Sequence, residues 1–131
     1  MRPAKLRNVT LYVAIICLIS SFGCNLSDDT EALPGGHTYV NEGRCYKYIL
    51  VNIKDGSNIE SCVSEYKYDV NYITIAQIDE IKCEQSGLMD KEDKKFFIID
   101  NKNEQLFGPF SHKGFKVQFE KLQLSKNLFL E

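Results

Sequence analysis

The sequence has no tryptophan, only three prolines and only two histidines among its 131 residues. It also has no Cys-x-x-Cys pair, no Gly-x-Ser-x-Gly elbow and no glycine-rich phosphate-binding motif. Clustered zinc sites, elbow-type serine hydrolases and the common nucleotide-binding folds are therefore not indicated. On these grounds we expect no metal, no bound cofactor and no catalytic residue, and hence a protein that is not an enzyme.

Long runs of basic residues are also missing. The nearest cluster, Lys91, Lys94 and Lys95, alternates with acidic residues and is typical of a solvated loop. Nucleic-acid binding is not expected, because it needs clustered positive charge. Hydrophobic residues at 44% and charged residues at 26% are ordinary values for a globular domain, so a folded chain is expected.

The longest uncharged apolar segment lies near the N terminus. Met1–Asn8 carries three basic residues and no acidic one, and Val9–Gly23 follows with 15 residues and no charge. As a helix, this segment would measure about 22 Å at ~1.5 Å per residue, against a hydrocarbon core of about 30 Å. The pattern is typical of a secretory signal peptide, and a permanent membrane-spanning helix is the less favoured alternative.

The apolar segment ends in Ser21-Phe22-Gly23-Cys24, which resembles the lipobox of bacterial lipoproteins. Gly23 matches the small residue before the cut, whereas Ser21 and Phe22 depart from the usual pattern. The resemblance implies that residues 1–23 are a lipoprotein signal peptide and that the Cys24 thiol carries the acyl lipid anchor. Cleavage without lipidation is the alternative.

The chain after the predicted cut is acidic. It keeps 108 residues, with 13 of the 16 Lys and Arg and all 18 Asp and Glu, which is enough for one domain. Residues 24–34 are expected to form an acidic tether that ends at the Pro34-Gly35-Gly36 breaker, and residues 35–131 a single globular domain. Lipoproteins retained at the inner membrane carry Asp directly after the lipidated cysteine, whereas this chain has Asn25 there. The resemblance therefore implies anchoring in the outer membrane, facing the periplasm or the surface.

Beyond the tether, short runs of β-branched and aromatic residues are separated by Gly, Asn and Asp, which predicts strands joined by turns. Phe115, Phe119 and Leu122 recur on one helical face, and Ser111 is the expected N-cap. The predicted fold is α+β, a small antiparallel meander of about five to six strands with one C-terminal helix packed on it. The predicted strands are His37–Val40, Cys45–Ile53, Val63–Tyr68, Tyr72–Ile78, Phe96–Ile99 and Gln105–Phe107.

Three stretches together resemble a family of small bacterial lipoproteins known as a domain of unknown function. Leu33–Gly43 carries LPGG-x-x-Y, Val63–Gln77 carries Y-x-Y-D, and Phe96–Ser111 carries Ile-Ile-Asp, a polar turn and Gly-Pro. The resemblance implies an exported, anchored domain. It implies no activity and assigns no functional residue.

Three cysteines follow the predicted anchor, and an exported domain can keep disulfides. If Tyr66–Asn71 is a hairpin, Cys62 comes close to Cys83, so Cys62–Cys83 is the expected pair. Cys45 and Cys62 would lie at opposite ends of neighbouring strands, too far apart for a disulfide. Three buried thiols are an equally favoured alternative. The spacings of 17 and 21 residues do not indicate a zinc site.

Tyr46 and Tyr48 form one pair at i and i+2, and Tyr66 and Tyr68 form another, so each pair points to one side of its strand. If the two strands are neighbours in register, the four rings form one possible binding face for protein or sugar. The favoured alternative is that this face belongs to the core, with the hydroxyls at its rim.

These observations lead to three hypotheses of function. The first is a membrane-anchored envelope lipoprotein with a non-catalytic domain that binds an envelope protein or a glycan. The second is an inhibitor or immunity-type module against a secreted enzyme or toxin. The third and least favoured is a small hydrolase, which would need polar side chains that converge in a cleft.

Overall fold

The computed structural model describes residues 29–84 and 93–131, where seven strands form two antiparallel sheets. The first sheet contains β1 (Asp29–Ala32), β2 (Thr38–Asn41) and β3 (Lys47–Leu50). The second contains β4 (Val63–Tyr68), β5 (Tyr72–Ile78), β6 (Lys94–Asp100) and β7 (Gln105–Phe110). The helices are α1 (Glu80–Glu84) and α2 (His112–Lys121), and a short 3-10 helix follows at Lys126–Leu128.

This architecture agrees with the α+β class, and β4 and β5 have the predicted bounds. The prediction of one meander was wrong, because the strands divide into two sheets. The prediction that residues 29–34 belong to a solvated tether was also wrong. Asp29–Ala32 is an edge strand, since it pairs with β2 from Asp29 opposite Asn41 to Ala32 opposite Thr38. The signal segment and Cys24 lie outside the described residues.

The second sheet is buried on both faces, which makes it the central layer of the domain. On β5, Ile73 and Ile75 point to one side, Thr74 and Ala76 point to the other, and all four are 0% exposed. A strand covered on both faces needs an unbroken apolar run rather than an alternating one. The mostly apolar run YITIA at the start of β5 is therefore what a strand in the central sheet requires.

One core fills the space between the two sheets. It combines Ile49 of β3 with the side chains of β5 and β6 that face the first sheet. Burial of such side chains contributes about 1.5–3 kcal/mol each. Its buried members are Leu33, Ile49, Ile59, Val63, Ile73, Ile75 and Ile99.

A second core lies on the other face of the central sheet, beneath α2. As predicted, Ser111 is the N-cap, where its hydroxyl accepts a hydrogen bond from the Gly114 N–H at 3.1 Å. Phe115 and Phe119 are buried, and the chain after α2 also enters this core through Leu128 and Leu130. None of the helices in residues 29–84 and 93–131 is long and apolar enough to cross a membrane.

Candidate functional site

Tyr46, Tyr48, Tyr66 and Tyr68, considered above as one possible binding face, are divided between two surfaces. The rings of Tyr66 and Tyr68 stack on β4, with centroids 6.4 Å apart. Tyr48 is the neighbour of the buried Ile49 on β3 and therefore points away from the core between the sheets. Tyr46 is 64% exposed. The two pairs do not align because β3 and β4 belong to different sheets.

A different cluster forms around Tyr66, and it includes a tyrosine that the sequence pattern did not single out. The Tyr39 ring lies 4.5 Å from the Tyr66 ring, and both pack against the core between the sheets. The Tyr66 hydroxyl donates to one carboxylate oxygen of Glu31, and the Tyr68 hydroxyl donates to the other at 2.6 Å. The hydrogen bond from Tyr66, and to a smaller extent the one from Tyr68, holds the pKa of Glu31 below its usual value.

The pKa values of these tyrosines shift in the opposite direction. Burial, followed by the hydrogen bond to Glu31, raises the pKa of Tyr66. The hydrogen bond to Glu31 is the main cause that raises the pKa of Tyr68. Both hydroxyls therefore remain donors, and the cluster joins the edge strand β1 to β4.

His37 is a buried structural residue, with 2% exposure. Its Nδ1 accepts a hydrogen bond from the Asn52 N–H at 2.9 Å, and Nε2 lies 2.8 Å from Asn101 Oδ1. Since Nδ1 is an acceptor, Nε2 carries the proton and donates to Asn101. A side chain at Gly35 would overlap the Asn101 amide, and Gly35 has a φ of +86°. The glycines of the LPGG turn thus allow the His37 ring to connect its own loop with the loops that contain Asn52 and Asn101. Both ring nitrogens are hydrogen-bonded.

His112 occupies aromatic surroundings at the start of α2. Its ring centroid lies 5.3 Å from that of Phe96 and 6.0 Å from that of Phe129. Its buried Nε2 makes no hydrogen bond to any part of the chain that the structure describes. The sequence singled out neither histidine as a base.

The cysteine pairing differs from the prediction, because Cys45 rather than Cys62 forms the disulfide with Cys83. After the loop that follows β3, the chain returns along β3, so that Ile59 pairs with Ile49. Cys62 then lies beside Cys45, and its N–H donates to the Cys45 carbonyl at 2.9 Å. The expectation that Cys45 and Cys62 are far apart was wrong, since it assumed that β3 and β4 pair directly. The three Sγ atoms lie within 4.8 Å of one another.

A groove that was not predicted lies between α2 and the C-terminal segment. We call it the C-terminal groove, and its volume is about 460 Å³. Volumes of roughly 300–1,000 Å³ are typical of ligand sites. Apolar side chains form its floor and charged or polar ones its rim. The lining residues are Phe119, Leu124 and Phe129, with Lys116, Glu120, Gln123 and Lys126.

The charge around the C-terminal groove differs from that of the preceding chain. Residues 112–131 contain four lysines and two glutamates, whereas residues 24–111 contain nine Lys and Arg and 16 Asp and Glu. This local excess of lysine is the signal in the sequence that points to the groove. The rim carries two lysines and one glutamate, so its net charge is positive. An apolar floor with such a rim suits an apolar group flanked by negative charge.

Comparison with known protein families gives a match over most of the chain. A family model described as a protein of unknown function (DUF3997) matches residues 41–131. The matched region includes β3, the whole central sheet, the three cysteines and the C-terminal groove. The LPGG turn precedes the matched residues, so the match supports the resemblance to an uncharacterised family without including that motif. No curated protein and no solved structure matches the chain significantly.

Proposed function

The chain belongs to the DUF3997 family of proteins of unknown function, and from its own residues we propose that it is a lipid-anchored, non-catalytic binding protein of the bacterial envelope. The observation that carries the proposal is the C-terminal groove, which has an apolar floor between Lys116 and Lys126 in an otherwise acidic chain. The proposed occupant is a segment of a second envelope protein, with apolar side chains flanked by acidic residues.

The position of the anchor supports this choice of occupant. β1 begins at Asp29, five residues after Cys24, so a lipid on Cys24 would hold the first sheet within about 18 Å of the membrane, at ~3.6 Å per residue. The C-terminal groove lies on the other face of the central sheet. It is therefore separated from the anchored sheet and open to a protein partner.

The lining of the groove supports the binding of a partner segment. Phe119, Leu124 and Phe129 offer it apolar area, and Lys116 and Lys126 offer positive charge beside that area. Rim lysines near an apolar floor contribute to the rate and specificity of association with an acidic partner. The groove is thus suited to hold an extended or helical segment in place.

The anchor is tested by the intact mass of the protein recovered from membranes, with the wild type beside Cys24→Ala. The expected wild-type species begins at Cys24 and carries added acyl mass, and the variant lacks that mass. A wild-type species without acyl mass, or one that still contains Val9–Gly23, would contradict the anchor. The binding part of the proposal would then be tested on an unanchored protein.

The groove is tested by a photo-crosslinking amino acid at Gln123 in whole cells, with Lys102 in the β6–β7 turn as the matched control position. We expect one discrete protein adduct from position 123 and none from position 102. Charge reversal of Lys116 and Lys126 to Glu should reduce the adduct about fivefold or more, because it turns attraction into repulsion at the rim. The matched variant Lys102→Glu should leave it unchanged.

Three results of the crosslinking experiment would contradict the proposed occupant. They are equal adducts from both positions, an adduct with lipid rather than protein, and an adduct that is insensitive to charge reversal. Identification of the adduct by mass spectrometry also distinguishes the inhibitor hypothesis, since the partner would then be a secreted enzyme or toxin.

A further inference from the structure

Three cysteines from three separate parts of the chain meet at one point of the fold. Cys45 precedes β3, Cys62 precedes β4, and Cys83 lies on α1. Their Sγ atoms all lie within 4.8 Å of one another. Cys62 is 2% exposed and Cys45 is 9% exposed, whereas Cys83 is half-buried. We call this set the cysteine cluster.

A disulfide needs only two of these sulfur atoms, and the backbone holds the third beside it. Cys62 has a φ of +55°, a conformation that non-glycine residues seldom adopt. The Cys62 N–H donates to the Cys45 carbonyl, and the Cys62 carbonyl accepts from the Ile78 N–H, both at 2.9 Å. The main chain therefore fixes Cys62 between the first sheet and the central sheet, with its sulfur beside Cys45 and Cys83.

We propose that the reduced cysteine cluster is a binding site for one thiophilic metal cation of the Zn²⁺ class, held by three thiolates. The Cys45–Cys83 disulfide is the oxidised, metal-free form of the same site. A Zn–S bond of about 2.3 Å places tetrahedral thiolates about 3.8 Å apart. The cluster already lies within 4.8 Å, so the main change required is the opening of one S–S bond.

The oxidised protein reaches the metal-bound form in two steps, reduction and then coordination. A dithiol reductant supplies two electrons and two protons, the Cys45–Cys83 bond breaks into two thiols, and the dithiol becomes a disulfide. The three thiols then release three protons as they bind one divalent cation, which leaves a complex of net charge −1. Affinity must therefore rise with pH. The half-buried Cys83 leaves a route for the cation, with a fourth position for water.

This site was not expected from the cysteine spacing, which lacks a Cys-x-x-Cys pair. The return of the chain along β3 brings Cys45 and Cys62 together, and α1 adds Cys83. Long-range pairing thus produces a ligand set that short-range spacing does not predict.

The test uses the full chain with Cys17→Ser and Cys24→Ser, so that the cysteine cluster contains the only cysteines. The protein is reduced with a phosphine, which adds no thiolate, and is titrated with Cd²⁺ as the probe. We expect one Cd²⁺ per chain by native mass spectrometry and an ultraviolet thiolate-to-metal band. The oxidised protein should bind none. Cys62→Ser in the same background is the matched variant, and loss of a direct ligand should weaken binding at least about tenfold.

The proposal is overturned if the reduced protein binds no Cd²⁺, or if Cys62→Ser binds it with unchanged affinity. Circular dichroism provides a second readout if reduction unfolds the chain. One equivalent of Cd²⁺ should then restore the β-sheet signal of the reduced protein and fail to restore that of Cys62→Ser. Equal recovery, or none in either protein, would also overturn the site.

Discussion

The disulfide between Cys45 and Cys83 is expected to supply a large part of the stability of this domain. The two residues are 38 positions apart in the chain. The loop-closure relation for a loop of that length gives about 4 kcal/mol at 25 °C. Small domains are stable by about 5–15 kcal/mol in total. The variant Cys45→Ala/Cys83→Ala should therefore lose about 2–4 kcal/mol, since measured disulfide contributions usually fall below the ideal value.

Both cysteines must be replaced together, because Cys62 lies close enough to pair with whichever one remains. A Cys62–Cys83 bond would close a loop of 21 residues, for which the same relation gives about 3 kcal/mol. The single variant Cys45→Ala could then form this second disulfide, and most of the loss of unfolding free energy would not be observed. Alanine is preferred to serine, since it introduces no buried hydroxyl.

The assay is urea unfolding of the full chain, followed by circular dichroism with a chelator present to exclude metal. Reduction should destabilise the wild type as much as the double substitution does, and it should not affect the double variant. The matched control Cys62→Ala keeps the disulfide and should remain sensitive to reductant. The reasoning is refuted if the double variant loses less than about 1 kcal/mol, or if Cys62→Ala abolishes that sensitivity.

Three further predictions concern single side chains that hold the fold by hydrogen bonds. His37→Phe removes both ring hydrogen bonds and should cost about 2–4 kcal/mol in urea unfolding; a loss under about 1 kcal/mol would contradict the three-loop junction. The pKa of Glu31 is lower in the folded protein than its unfolded value of 4.5. Its carboxylate therefore stabilises the fold fully above pH 4.5, and this stabilisation is lost as the pH falls through the folded pKa. Glu31→Gln should therefore be less stable than wild type at pH 7, by under about 1 kcal/mol because the site is largely solvated. The thermal midpoints of the two proteins should converge below pH 4.5. A difference in stability that does not change with pH would count against a role of the carboxylate. Ser111→Ala removes the cap of α2 and should cost about 1 kcal/mol, whereas Ser111→Asp should restore the thermal midpoint.

The cysteine cluster depends on contacts between distant parts of the chain, and the C-terminal groove depends on how the last residues pack on the central sheet. Neither was predicted. Leu128 and Leu130 are buried, although the end of the chain has no helical or strand period. Their burial comes from the fold-back of this segment onto the central sheet, where the Thr74 hydroxyl donates to the Leu128 carbonyl at 2.6 Å. The only local sign of the groove is the excess of lysine after residue 112.

The sequence by itself determined the elements whose signals are local. Alternation and β-branched residues predicted Val63–Tyr68 and Tyr72–Ile78 with their observed bounds, and the spacing of Phe115 and Phe119 after Ser111 predicted α2. These signals are readable because the period of a strand or helix is set by the backbone within a few residues.

Only the tertiary structure decided how those elements combine. Asp29–Ala32 has no strand signal and becomes a strand because β2 offers unpaired hydrogen-bonding groups along one edge. The division into two sheets follows from the return of Ile59 along β3, and that same return brings Cys62 to Cys45. The physical reason is that distant segments pair in the arrangement that buries the most apolar surface and leaves no buried backbone N–H or carbonyl without a hydrogen bond. No short window of residues contains that information.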